Sequence, residues 1–196
     1  MFADLLRRRY SALGPEQVAA LESHYELLVR WNRKLNLTAI TGAEEAVERH
    51  YGESLFLASH LPAGALRIVD VGSGAGFPGI PVAVQRRDCS VALVESHQRK
   101  AVFLREATRQ LRNVQVIAKR AEEVTEQFDW AISRAVSYED LRQPLHRLAQ
   151  HAALLTGAMA PVAQVASSDP RFTWEDPVPL PGALHRFLRI GHLCFK

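Results

Sequence analysis

The chain has 196 residues, of which 47% are hydrophobic and 23% charged, a balance that supports an ordinary globular core and excludes a disordered chain. No apolar run approaches the ~20 residues that span a bilayer, residues 1–9 lack the order of a secretory signal, and Cys89 and Cys194 give no disulfide framework, so a cytoplasmic protein without a membrane partner is expected. The net charge of +3 is compatible with a polyanionic partner, and its basic residues fall in scattered clusters such as Arg7–Arg9, Arg33-Lys34, Arg99-Lys100 and Lys119-Arg120.

Val18, Leu21, Tyr25, Leu28 and Trp31 recur at helical spacing and predict an amphipathic helix over 16–36, opened by Pro15. A second helix is expected over 43–59 with Thr41 as its cap. Residues 1–62 therefore read as a helical extension, and residues 63–196 as the main domain. There, short apolar runs at 66–71, 90–96, 114–119 and 128–136 alternate with helical stretches at 79–87, 97–112 and 138–150. That alternation predicts an α/β fold with a mostly parallel sheet and right-handed crossovers. A fifth strand is expected over 151–163, one or two closing strands over 184–195, and a proline-rich loop over 167–182.

The first strand runs into "VDVGSGAGFPGIP", residues 69–81. A Walker loop requires Gly-Lys-Ser/Thr, and no lysine is present here. A nucleophile elbow requires Gly-x-Ser-x-Gly, but Ser73 is flanked two residues away by Val71 and Ala75. A dinucleotide fingerprint places its third glycine where Phe77 stands. What remains is Asp70-x-Gly72-x-Gly74-x-Gly76. Glycines let the backbone approach a ligand closely, and Asp70 adds a negative charge that disfavours a pyrophosphate and favours a cationic ligand. Glu95, at the end of the second strand, stands where a carboxylate accepts from ribose hydroxyls. S-adenosylmethionine, which has a sulfonium, an amino group and a ribose but no phosphate, satisfies both requirements.

With "WNRKLNLTAI" (31–40), "RHYGESL" (49–55), "ESHQRKAVFLRE" (95–106), "KRAEE" (119–123) and "SRAV" (133–136) added, the chain resembles the glucose-inhibited division protein B family. These are bacterial 16S rRNA guanine-N7 methyltransferases. The resemblance implies a class I S-adenosylmethionine-dependent methyltransferase fold, Rossmann-like, with a mostly parallel seven-stranded sheet and an N-terminal helical extension. It implies methylation of guanine N7 in the 530 loop of 16S rRNA, with S-adenosylhomocysteine as product and 16S rRNA, the 30S subunit or a precursor as partner. By position it assigns Asp70, Gly72, Ser73, Gly74, Gly76, Phe77, Glu95, Ala121, Glu122 and Arg134 to the cofactor. Arg134, Arg120, Asn36 and His50, with Thr38, are implied to face the substrate cleft. For Arg134 the competing role is an ion pair with Asp129 or Glu139.

Guanine N7 has a lone pair and no proton to lose, so in-line methyl transfer needs positioning and no general base. No Ser/His/Asp or Cys/His arrangement is evident, which agrees. None of the eight histidines shows a metal spacing with the cysteines, so no metal is expected, and a monomer suffices. The family's lysine-glycine pair is replaced by "AMAPVAQV" (158–165), and no lysine occurs between Lys119 and Lys196. A diverged methyltransferase acting on another RNA or a small molecule, and a non-catalytic cofactor-binding relative, stay open at this point.

Overall fold

Five parallel strands carry the frame, and the computed structural model describes them within residues 1–157 and 169–194. β1 (Arg67–Val71), β2 (Ser90–Val94), β3 (Val114–Ile117), β4 (Phe128–Arg134) and β5 (Ala149–Thr156) run in the same direction, joined by α5 (Gly79–Gln85), α6 (Gln98–Ala107) and α7 (Tyr138–Leu148). β6 (Phe172–Trp174), β7 (Val178–Pro179) and β8 (Phe187–Leu193) complete the sheet in the antiparallel sense. The order is β3-β2-β1-β4-β5-β8-β6, with β7 also paired to β8. Ahead of the sheet come α1 (Phe2–Arg9), α2 (Pro15–Leu35), α3 (Ala43–Glu45), a π-helical stretch (Ala46–Gly52) and α4 (Glu53–His60).

The two-residue period of each strand divides the core. Ile68, Leu93, Trp130 and Ile132 join Leu21, Leu28, Val47 and Tyr51 of the N-terminal helices on one side. Val69, Val71, Ala92, Val94 and Ala131 meet Tyr138, Leu141 and Leu145 of α7 on the other. Both faces are covered, which is why these strands read as continuous apolar runs. Gln17 fastens α2 to this frame: its Oε1 accepts from Gly14 N (2.8 Å) while its Nε2 donates to Val84 O (3.1 Å) at the end of α5.

Several boundaries differ from the sequence expectation. Among the described residues the sheet has eight strands, not seven, because β6 and β7 form inside the proline-rich segment by pairing with β8. The closing segment is one strand. β5 begins at Ala149, earlier than expected, since its register with Phe128 starts there; the expected residues 158–163 lie outside the described residues. Thr41 does not cap the second helix: Gly42 occupies that position and no side chain caps it. The middle of that helix widens into a π turn, a form that concentrates at functional sites. Among the described residues no helix is long and apolar enough to cross a membrane, and no group of His, Cys, Asp and Glu is arranged to hold a metal.

Candidate active site

The chain leaves β1 toward β2 on one side of the sheet, while β4 lies on the other, so the turn after β1 sits at the switch point where open α/β sheets form their ligand crevice. That turn is built by glycines in the left-handed region: Gly72 (φ 74°), Gly74 (φ 55°) and Gly76 (φ 87°). At Gly72 a Cβ would also lie 2.7 Å from Val136, so both conformation and space demand glycine. The Gly72 and Ser73 amides donate to Val94 O at 3.0 and 3.1 Å, fixing the turn against the end of β2.

Glu95 lies against this turn. Its Oε2 accepts from Gly74 N (2.9 Å) and its Oε1 from His97 N (2.7 Å), and the residue is only 7% exposed. The carboxylate is thus held at the rim by two backbone amides, with lone pairs left for further donors.

Asp70 corrects the sequence reading. Its side chain lies on the same sheet side as Ile68, facing α5, and is fully buried. Oδ2 accepts from Gly79 N (3.0 Å), and Oδ1 has no partner. Burial pushes its pKa up to about 7, with the Gly79 amide pulling the other way. It holds the first turn of α5 and presents no charge at the crevice mouth. A Cβ on Gly79 would lie 2.6 Å from Asp70 Oδ2. Ser73 is likewise turned inward, donating from Oγ to Asp70 O (3.0 Å). Phe77, 6% exposed, packs among aromatic side chains of the helical extension.

His50 stacks on Phe77 with ring centroids 4.5 Å apart. Its Nε2 lies 2.7 Å from Thr38 Oγ1, and its Nδ1 is buried without a partner. Burial, then the Arg134 and Arg49 charges, push its pKa down to about 3, so the ring is neutral. Asn32 holds the Thr38 loop through paired bonds, donating to Thr38 O and accepting from Thr38 N, both 2.9 Å. Asn36 is the left-handed residue (φ 46°) that ends α2, and its exposed side chain makes no described hydrogen bond.

Arg134, at the end of β4, pairs with neither Asp129 nor Glu139. It donates from an Nη to the Arg49 carbonyl (3.0 Å) within the π stretch. Burial lowers its pKa, opposed by the nearby Glu53 carboxylate. Glu53 is 4% exposed and lies 2.6 Å from Arg186 Nε, an ion-pair contact not aligned as a hydrogen bond. Burial raises the Glu53 pKa while Arg134, Arg186 and Arg49 oppose that rise. Arg186 thus pairs with the buried Glu53, Arg49 pairs with Glu45 (2.6 Å), and Arg134 is bonded to a carbonyl without an acid of its own, an arrangement that leaves positive charge for an anion.

Ala121 and Glu122 lie in a short 3₁₀ turn after β3, with Glu122 exposed. Arg147 secures this turn by donating to Ala121 O (2.6 Å) and to Val124 O. Arg120 precedes it, exposed, its amide donating to Glu123 Oε2 (2.9 Å). The glycine turn, Glu95, His50, Thr38 and Arg134 are linked by contacts; Asn36, Arg120 and Glu122 are not tied to them by any described bond. Sequence reasoning missed Tyr51 and His24, which brace the turn from behind. The signal for His24 was its place on the apolar stripe of α2, between Leu21 and Leu28.

A family model described as GidB, rRNA small subunit methyltransferase G, matches residues 17–156. The chain is 46% identical over 129 residues to the ribosomal RNA small subunit methyltransferase G of Chromobacterium violaceum, covering 64% of this chain and 61% of that protein. It spans about three fifths of the length of the first curated relatives it matches. In fold it is similar to a SAM-dependent methyltransferase from Aquifex aeolicus (TM-score 0.63, 15% identity, 76% of this chain and 93% of that one). It is also similar to a SAM-dependent O-methyltransferase from Thermotoga maritima (TM-score 0.57, 14% identity, 86% and 72%). The architecture is that of the class I methyltransferases.

Proposed function

Since the chain belongs to the GidB family of rRNA small subunit methyltransferases, we propose that it transfers a methyl group from S-adenosylmethionine to guanine N7 in the 530 loop of 16S rRNA. The observation that carries this is one contact set: Glu95 held by the Gly74 amide at the sheet's switch point, with Arg134 and His50 around the same turn.

The residues fit the donor. The positive-φ glycines form a cradle that a Cβ would fill or strain, and Glu95 has lone pairs free for ribose hydroxyls. Ala121 and Glu122, in the turn after β3, would hold the adenine. Bound S-adenosylmethionine supplies an electrophilic methyl on its sulfonium and leaves as S-adenosylhomocysteine. The protein supplies alignment. N7 attacks with its own lone pair, so no side chain has to remove a proton. His50, with a pKa near 3, stays neutral and adds no repulsion as the guanine becomes cationic. Arg134 binds phosphate or guanine O6, leaving N7 free. The enzyme acts as a monomer in the cytoplasm on 16S rRNA within a 30S subunit or its precursor.

Transfer of labelled methyl to 30S subunits or 16S rRNA, mapped by strand cleavage at 7-methylguanosine, tests this. Cleavage at one guanine of the 530 loop is expected. Label appearing only in another RNA or a small molecule sinks the substrate assignment, and the missing lysine between Lys119 and Lys196 makes that the second reading. The stretch that replaces the family's lysine-glycine pair, 158–165, lies outside the described residues.

A further inference from the structure

The glycine turn has three residues at positive φ and is held through its amides: Gly76 N donates to Ser73 O (2.7 Å), Gly72 N and Ser73 N to Val94 O, and Gly74 N to Glu95. The carbonyl side of the Ala75–Gly76 peptide is held from outside the turn, by one side chain. His24, on α2 and 2% exposed, places Nε2 3.0 Å from Ala75 O. Its Nδ1 lies 2.9 Å from the hydroxyl of Tyr51, a fully buried residue of the π stretch.

The protonation pattern follows from the partners. A carbonyl only accepts, so Nε2 carries the hydrogen and donates to Ala75 O. Nδ1 is then a lone pair, and the Tyr51 hydroxyl donates to it. Tyr51 thereby fixes the tautomer that His24 needs. The Phe77 ring packs against both, at 5.1 Å from each ring centroid. A buried neutral ring is consistent with this: burial pushes the His24 pKa down to about 4.

We infer that His24, with its tautomer set by Tyr51, is a positioning residue for the methyl donor, holding the Ala75 carbonyl so that the glycine turn presents its backbone to the cofactor. The inference rests on the reading of the site given above. It places part of the cofactor site's rigidity in the helices that precede the sheet. The same link joins the turn to the π stretch that carries His50 and Arg49, coupling the donor side of the crevice to the acceptor side.

Calorimetry with S-adenosylmethionine on the full chain and its variants, together with ¹⁵N NMR of the histidine ring, decides the matter. His24→Leu is expected to weaken S-adenosylmethionine binding about tenfold, since it strands a buried acceptor in the turn. His24→Gln, whose amide can donate to the same carbonyl, recovers affinity to within about threefold of wild type. Val18→Ala, a core change on the same helix away from the turn, lowers stability and leaves affinity unchanged. NMR shows the pure Nε2–H tautomer in wild type and a mixture in Tyr51→Phe, a variant that removes one oxygen and serves if His24→Leu does not fold. Equal affinity of wild type and His24→Leu overturns the inference, as does a tautomer mixture in wild type. A wild-type chain that binds no S-adenosylmethionine overturns instead the proposed function, which the NMR result does not touch.

Discussion

At the scale of single residues, the proposed donor crevice turns few side chains toward its mouth. Ser73, Asp70 and Phe77 all turn inward, leaving the side-chain-free glycine backbone and the Glu95 carboxylate at the rim, with the Gly72, Ser73, Gly74, Gly76 and Phe77 amides already bonded within the protein. Gly74→Val separates these contributions. Its Cβ has room, with the nearest atom 3.8 Å away, but the φ of 55° is forbidding for a β-branched residue. The variant is expected to fold and to lose S-adenosylmethionine binding by at least tenfold, as read by calorimetry. Arg134→Ala is expected to do the converse, keeping donor affinity within about twofold and reducing methyl transfer by about a hundredfold. Normal turnover in that variant would remove Arg134 from the acceptor side. The positive-φ glycines and Glu95 were legible from spacing, because a turn after a strand has few ways to admit a ligand. The inward direction of Asp70 was not: it depends on which sheet side α5 covers, and that is settled only when the strands assemble.

At the scale of elements, the π stretch and α2 bring two neutral histidines to one turn, and that has a pH signature. His24 and His50 titrate near 4 and 3, below the 6.5 of an unfolded histidine. Between those values the unfolded chain binds more protons, so the stability these groups supply is complete above pH 6.5 and is lost as pH falls through 4 and then 3. Asp70 has the opposite sign: held near 7 against 3.8 unfolded, it weakens the fold as pH rises through 7. Two histidines outweigh one acid between pH 4 and 6.5, so wild-type stability is expected to fall with acidification there. His24→Gln removes one of the two protons. The wild-type advantage over it should grow by about 3 kcal/mol from pH 4 to pH 6.5, following the shift from 6.5 to about 4 at ~1.36 kcal/mol per unit. Urea midpoints across that range check it, and parallel curves would mean that His24 is not buried neutral. The helices and parallel strands of this region were evident from periodicity. The π register was not, since one extra residue per turn leaves the apolar pattern of 43–59 almost unchanged.

At the scale of the whole molecule, the alternation of strand and helix gave the fold class, while the antiparallel edge was hidden. β6 and β7 have three and two residues and lie among prolines, so no local pattern marks them. They exist because β8 offers them an edge. β8 also pairs with β5 over six registered positions, from His151↔His192 to Thr156↔Phe187. Deleting 187–196 is therefore expected to yield a chain that aggregates on refolding, exposing β5 as a long apolar edge; light scattering during dilution from urea reads this. A soluble monomer with native far-ultraviolet circular dichroism would show that the parallel strands hold without it.

That arrangement of β8 also sets a timetable. Synthesis runs from the amino end, so the helices that brace the glycine turn emerge well before the strand that closes the sheet. Until residues 187–193 leave the ribosome, β5 has no partner on its outer side and β6 and β7 have nothing to pair with. A nascent chain halted just short of them carries every residue of the proposed donor site and an open sheet edge at once. Chaperone occupancy along ribosome-bound intermediates should accordingly drop only once residues 187–193 have emerged.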